Sequence, residues 1–408
     1  MTEPRPMAVE QVELESPITD IDCRRDLDPP YAAAWILVRR GGKPLGSLEL
    51  ELTEGRVPAA VIEEAVRTQI SGMGRRQSRP DPDQLPSATV VVPTTMSRRE
   101  QLGLCVEHLR RLDYPNFEII VVDNRPLTEP AVELPGVRVI REPRPGISAA
   151  RNAGLAVATG EILACTDDDV EVDKGWLLAL GERFVSEPAV SAVTGLVVPR
   201  ELETPAQIWF EESGLGLDRQ YSPLSFERHG RFEVKRIAAD DASERVHSLY
   251  KTGEFGLGSN MAFRTAVLEA AGGFDVALGA GTPTHGGEDL AILVELIASG
   301  HKLAYEPAAI AFHTHRRTTE ELRRQVSGYG VGFTAMLTAI SLRNPWHLVG
   351  LIRVIPAWLR SLRDPKAPKH VNRSDSYPSD LGRMEIRGMV IGPYSYMRSR
   401  RKQRRQQS

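Results

Sequence analysis

The chain holds 408 residues, 41% of them hydrophobic and 26% charged, with a formal net charge of -3. That length suits two or three folded units, and the composition excludes wholesale disorder and a chain dominated by nucleic-acid binding. The 34 glycines and 29 prolines exclude a coiled coil or long helical rod. Cys23, Cys105 and Cys165 are widely spaced and odd in number. They make neither a disulfide framework nor a zinc knuckle, and are expected as reduced, buried thiols. The opening residues show no apolar leader, and no run reaches the roughly 18 apolar residues that a bilayer span requires. The expectation is a soluble, cytoplasmic protein with access to the inner face of the cell membrane.

Residues 1–28 bear prolines and the acids Glu10, Glu13, Glu15, Asp20, Asp22, Asp26 and Asp28, and read as a flexible acidic tail. Residues 29–71 read as a small module. The apolar run Ala32–Arg39, the turn residues RGGKP and the alternating run Leu45–Leu52 predict a hairpin, and Val57–Gln69 a helix with Pro58 in its first turn. Residues 72–87 read as a linker.

From Ala88 the pattern changes. ATVVVP predicts a strand, and Leu102, Cys105, Val106 and Leu109 mark one face of a helix over 98–111. Strands follow at 117–122, 137–140 and 161–165, with a helix over 147–158. Alternating strands and helices predict a parallel, helix-covered sheet, whose ligands bind beyond the carboxyl ends of its strands. Asp123 and Asp167–Asp169 each follow a strand directly. Residues 199–252 are polar and weakly patterned, a long excursion of the kind that serves function. A strand and short helix are predicted over 255–271 and a helix over 288–299. Residues 318–363 read as amphipathic helices broken near Asn344–Pro345, and 364–408 as a linker and basic tail ending in Arg398, Arg400, Arg401, Lys402, Arg404 and Arg405.

The acid triplet TDDDV at 166–170 can turn Asp167 and Asp169 to one side, and hard oxygen donors of this kind suit Mg2+ or Mn2+ shared with substrate phosphates. Alone, such a triplet is more often a solvated acidic turn. An EF-hand is excluded, because Val172 and Leu178 stand where its loop needs Gly and a bidentate Glu. No G-x-G-x-x-G turn follows the opening strand, and neither a P-loop nor a G-x-S-x-G elbow occurs.

The order of the segments carries more than any one of them. VVVPTT at 90–95, EIIVVDN at 118–124, RPGISAARNAGLAVATGEILACTDDDV at 144–170, GSNMAFRT at 258–265, GGFD at 272–275, GGEDL at 286–290 and FHTHRR at 312–317 together resemble family 2 glycosyltransferases of the GT-A fold. The resemblance spans residues 88–317. It implies an α/β fold of GT-A type, a Rossmann-like and mostly parallel sheet covered by helices, here with a small N-terminal α+β module and a C-terminal helical extension. It implies an inverting, metal-dependent hexosyl transfer from a nucleotide-activated donor, expected to be a UDP-sugar, to a hydroxyl on a glycan, lipid-linked sugar or small molecule.

By the same resemblance, Pro93 and Thr94 lie against the nucleotide and Asp123 contacts the base. Arg151 and Asn152 flank the nucleotide, Asp167 is the ribose and metal-side acid, Asp168 borders the donor, and Asp169 is the direct metal ligand. Ser259 and Asn260 belong to the sugar-proximal loop, and Gly286 and Gly287 to the turn before the acid pair Glu288–Asp289, with Asp289 the general base. His313 or His315 stands near the diphosphate or the metal, and the spacing does not choose between them. The expected cofactor is Mn2+ or Mg2+.

Chemistry reasoned from the residues agrees. Displacing a nucleoside diphosphate builds charge on the leaving oxygens, which a cation held by carboxylates offsets. The acceptor hydroxyl must lose a proton, which a carboxylate within hydrogen-bond reach accepts. Two rivals stand beside this reading. A sugar-1-phosphate nucleotidyltransferase needs a Gly-rich basic first loop that the chain lacks, and a non-catalytic carbohydrate-binding protein has no use for the acids at 167, 169 and 289. Trp176 is expected in the core, Trp209 and Phe210 in the core or a sugar subsite, and Arg316 and Arg317 on phosphate or in water. The basic C-terminal cluster, with Trp346 and Trp358, suggests peripheral contact with anionic lipid in preference to nucleic acid.

Overall fold

In the computed structural model, residues 3–25, 27–70, 81–213, 221–239, 242–363, 373–374 and 376–407 are described. The proposed linker falls largely outside them, as do Asp26 and the side chain of Trp358.

The N-terminal module begins with β1 (Met7–Glu13), followed by β2 (Ile21–Asp22), β3 (Ala33–Arg40), β4 (Lys43–Glu51), β5 (Arg56–Val57) and α1 (Ala59–Gln69). The hairpin is β3 with β4, and β1 adds in parallel along β3. Residues 7–13 are therefore a strand where a flexible tail was expected. The acids drew attention from its alternation: Ala8 and Val12 are buried, and the Glu13 carboxylate accepts the Gly41 and Gly42 amides of the hairpin turn at 2.9 Å each. The unbroken apolar run of β3 has a cause. Ala34, Ile36 and Val38 face α1 with Ile62 and Ala65, whereas Trp35 and Leu37 face the main core. A strand buried on both faces loses the period-two signature.

The central unit contains β6 (Ala88–Thr94), α2 (Arg99–Arg110), β7 (Phe117–Asp123), β8 (Arg138–Arg141), α3 (Ile147–Leu155), β9 (Ile162–Cys165), β10 (Val170–Val172), α4 (Trp176–Ser186) and β11 (Val190–Pro199). Next come α5 (Pro205–Glu212), β12 (Leu224–Arg228), β13 (Glu233–Ala238), β14 (Glu244–Ser248), β15 (Met261–Arg264), α6 (Thr265–Ala270), α7 (Glu288–Ala298) and β16 (Lys302–His313). The strand order is β14-β13-β12-β16-β11-β15-β9-β6-β7-β8, with β10 pairing on β16. Strands β9, β6, β7 and β8 are parallel, as the alternating pattern predicts. β15 is antiparallel to both neighbours, and the meander β12–β14 supplied by the excursion extends the edge, so the whole sheet is mixed.

Among the described residues, three helices follow: α8 (Thr319–Arg343), α9 (Trp346–Arg363) and α10 (Leu381–Gln407). A capping box between Thr318 and Glu321 starts α8. The break before α9 falls at Asn344–Pro345 as the sequence indicates. α10 is a helix where a basic tail was expected, and its reason is tertiary. A Cβ on Gly388 would come 2.2 Å from the Ser327 carbonyl oxygen, and one on Gly330 would come 2.1 Å from that of Glu385. Only bare backbones let α8 and α10 approach this closely. Among the described residues no helix is long and apolar enough to cross a membrane.

Candidate active site

The parallel strands end at one edge, and their carboxyl ends bring distant residues together. β6 delivers Pro93 and Thr94, β9 delivers Asp167–Asp169, and β16 delivers His313, which the pairing of β10 sets opposite Val170. α7 approaches from the other side. Its N-cap, Gly287, has φ 90°, and a Cβ there would sit 2.4 Å from the Gly332 carbonyl oxygen of α8, so this turn requires glycine twice over. Between these elements lies a cavity of about 840 Å³.

Thr94, buried, donates its hydroxyl to Asp168 Oδ2 at 2.7 Å. Arg98 spans the triplet, donating to Asp168 Oδ1 at 2.5 Å and to Asp169 Oδ2. Arg316 stands 3.7 Å from Asp169, and His313 Nε2 lies 3.5 Å from Asp169 Oδ1. Burial alone would raise the Asp169 carboxyl; the His313 charge and hydrogen bond, with Arg98 and Arg316, outweigh it and hold that carboxyl well below its usual range. Burial would lower His313, yet Asp169 keeps it raised.

The second acid pair lives under the opposite balance. Glu288 is 6% exposed, and both its burial and the adjacent Asp289 push its carboxyl up, against the pull of Arg151. Asp289 borders the cavity and accepts the Gly258 amide at 2.8 Å, which fixes the loop carrying Ser259. Arg151 links the two acid groups. It is 1% exposed and donates to Glu288 Oε1 at 2.9 Å, to the Gly258 carbonyl at 2.9 Å and to Asp167 Oδ1 at 3.1 Å.

Of the residues singled out from sequence, Pro93, Thr94, Arg151, Asp167, Asp168, Asp169, Ser259, Gly286, Gly287, Glu288, Asp289, His313 and His315 line this one cavity. Three do not. Asn152 brackets the 272–274 turn, exchanging bonds with the Phe274 amide and carbonyl at 2.8 Å each. Asn260 is fully buried, accepting from Trp176 Nε1 at 2.8 Å and donating to the carbonyls of Leu196 and Ala309. Both side chains hold loops by these hydrogen bonds. Asp123 is likewise buried, and its carboxylate accepts two hydrogen bonds from Arg125 at 2.7 and 2.9 Å.

The two histidines separate. His315 is 4% exposed, its Nε2 lies 2.6 Å from Glu211 Oε1 and its Nδ1 3.2 Å from His313 Nδ1, while Phe210 packs on its ring at 4.3 Å. Both His315 nitrogens are engaged, and only His313 turns toward the triplet. Among the described residues no three His, Cys, Asp or Glu side chains are grouped to hold a metal ion. The donor set still fits a divalent cation that takes one or two protein ligands and completes its shell with phosphate oxygens and water. Asp169 and His313 are the pair facing each other across 3.5 Å.

Sequence reasoning passed over Arg98, Glu211, Tyr329, and the α10 residues Glu385 and Met389, all of which line the cavity. Arg98 left a signal: a cation at a helix N-terminus opposes the helix dipole, which implies an acidic partner elsewhere. The α10 residues left none, because their helix depends on its contact with α8.

The profile of the family described as glycosyl transferase family 2 matches residues 89–270. A pre-mycofactocin glycosyltransferase of Mycobacterium tuberculosis is 28% identical over 228 residues, 55% of this chain and 42% of that protein. A glucosyl-dolichyl phosphate glucuronosyltransferase of Haloferax volcanii is 26% identical over 201 residues, 47% of this chain and 56% of that one. The chain thus spans about half the length of these curated relatives or less. A mannosyltransferase from Pyrobaculum calidifontis, solved with GDP-Man and Mn2+, is 18% identical with a TM-score of 0.46, covering 81% of this chain and 92% of its own. The segment that matches the family 2 profile, residues 89–270, is also the one that carries the acid triplet and Arg151 to the cavity.

Proposed function

We propose that residues 88–317 transfer a hexosyl unit from a nucleotide-activated donor, taken as a UDP-sugar, to a hydroxyl acceptor with inversion at the anomeric carbon. The observation that carries this is the placement of two acid groups of opposite electrostatic character on one cavity, joined by the buried Arg151. The triplet side, with Arg98 and Arg316, receives the donor diphosphate. Asp169 and His313 would hold a Mn2+ or Mg2+, with Asp167 on the ribose side; such an ion neutralises charge developing on the leaving diphosphate. Asp289 faces the acceptor. As the acceptor oxygen bonds to the anomeric carbon, the carbon–phosphate-oxygen bond breaks with its electron pair leaving on the diphosphate, and the hydroxyl proton passes to Asp289. Glu288, buried and paired with Arg151, orients this corner. We extend the reading to acceptors met at a membrane, through peripheral contact of the C-terminal helices.

The test is thermal stabilisation by UDP, GDP and their sugars with and without Mn2+, since only a bound ligand raises the melting temperature. A metal-dependent rise with one nucleotide series is expected. No rise with any of them would overturn the donor assignment, and the anomeric configuration of an isolated product, read by NMR, decides inversion.

A further inference from the structure

We infer that the outer face of α10 docks on an anionic membrane surface. This deepens the peripheral contact named above and does not depend on the transfer chemistry. One face of α10 is sealed against α8 at Gly388 and Gly392. Away from that seam stand Ile386, Val390 and Tyr394, four residues apart and therefore stacked in one row. Val390 is 77% exposed and Tyr394 69%. Single exposed apolar residues are ordinary; a row of them on one helix is not. Beyond Met397 the exposed positions turn basic, with Arg398, Arg401 and Lys402. These three border a groove with Tyr394, Met397 and Thr338 of α8, and among the described residues no carboxylate lines it.

Two further exposed apolar side chains lie on α8 and α9. Leu342, 48% exposed, stands one turn beyond Thr338 on the same side of α8, and Trp346, 57% exposed, opens α9. A helix that offers apolar side chains beside a cluster of Lys and Arg has the composition of an element lying in a lipid interface. Charge selects the occupant. The chain as a whole carries 51 basic against 54 acidic residues, so this basic groove is a local feature that orients the molecule against a negative surface. The geometry also gives docking a consequence. Glu385 and Met389 of the same helix line the catalytic cavity. With a helix diameter of about 10 Å, docking α10 brings that cavity to the membrane plane, where a lipid-anchored hydroxyl would reach it.

The test uses the full chain with vesicles of phosphatidylcholine, with and without phosphatidylglycerol. Sedimentation with the anionic vesicles only, weakening as salt rises, is expected. Each basic side chain near such a surface is worth about fivefold in partitioning, so Arg398→Ala, Arg401→Ala and Lys402→Ala combined should lower it on the order of a hundredfold. Val390→Glu should also release the protein. All four positions are exposed, so melting temperatures should stay near that of the unsubstituted protein, a control that separates lost docking from lost folding. Equal partitioning of the triple variant, or equal binding to neutral vesicles, overturns the proposal. So does a dimer in solution that Val390→Glu dissociates, which would make a second copy the occupant. A protein that binds vesicles but gains no stability from nucleotides would refute the transfer reading alone, and the converse would refute this one alone.

Discussion

The two acid groups on the cavity are built from the same chemistry and held in opposite states. Asp169 lies among His313, Arg98 and Arg316 and is driven toward its charged form despite burial. Glu288 is buried beside Asp289 with Arg151 as its counter-charge, and burial and Asp289 drive it toward its neutral form. Environment separates two groups of like composition: a carboxylate kept charged suits a cation or a phosphate, whereas a buried carboxyl beside a second acid favours its proton. Arg151 touches both groups, so the two halves of the cavity are mechanically one.

The sharpest way to separate the halves is Asp289→Asn. It keeps the shape and the acceptor oxygen for the Gly258 amide but cannot take the proton. Transfer should fall by about 10²- to 10⁴-fold while UDP binding with Mn2+, followed by calorimetry, stays near that of the unsubstituted protein. Near-normal turnover would end the base assignment, and an equal loss of nucleotide binding would make Asp289 structural.

Arg151→Met should strike both halves together. Removing one partner of a buried ion pair costs about 3–5 kcal/mol, read as a loss of unfolding free energy in urea, and the two acids left behind lose their common support. A stability change confined to a few tenths of a kcal/mol would show that the halves are independent.

Asp169→Asn should touch the triplet side alone. A ligand at a hundredfold excess over its Kd stabilises by about 2.7 kcal/mol, and most of the Mn2+-dependent part of that gain should vanish, with excess Mn2+ restoring only some of it. An unchanged metal-dependent gain would remove Asp169 from the metal.

The smallest effect concerns pH. The folded protein holds the Glu288 proton more tightly than the unfolded chain, so stability should decline as pH rises from the ordinary glutamate value, 4.5, toward neutrality. Glu288→Gln should lack this slope, so its stability should gain on that of the unsubstituted protein as pH rises across that window. Parallel pH profiles for the two would place the Glu288 proton elsewhere. Asp169 contributes with the opposite sign: its stability is present above its ordinary value of 3.8 and is lost as pH falls below it.

The amino-acid order by itself determined the alternating β-α layout from Ala88, the acids at the strand ends and the helix that starts at Glu288–Asp289. Those features are local: strand and helix periods, and glycines before a cap, are written within a few neighbouring residues. The tertiary structure decided the rest. It set His313 beside Asp169 and His315 against Glu211, a residue more than a hundred positions away. It withdrew Asn152 and Asn260 from the cavity, because side chains that match a motif are spent on loop carbonyls and amides that only the fold brings near. It made β1 a strand and α10 a helix, one by pairing with β3 and the other by glycine contacts with α8. In each case the deciding partner is distant in the chain, and local sequence carries no record of a distance that folding alone closes.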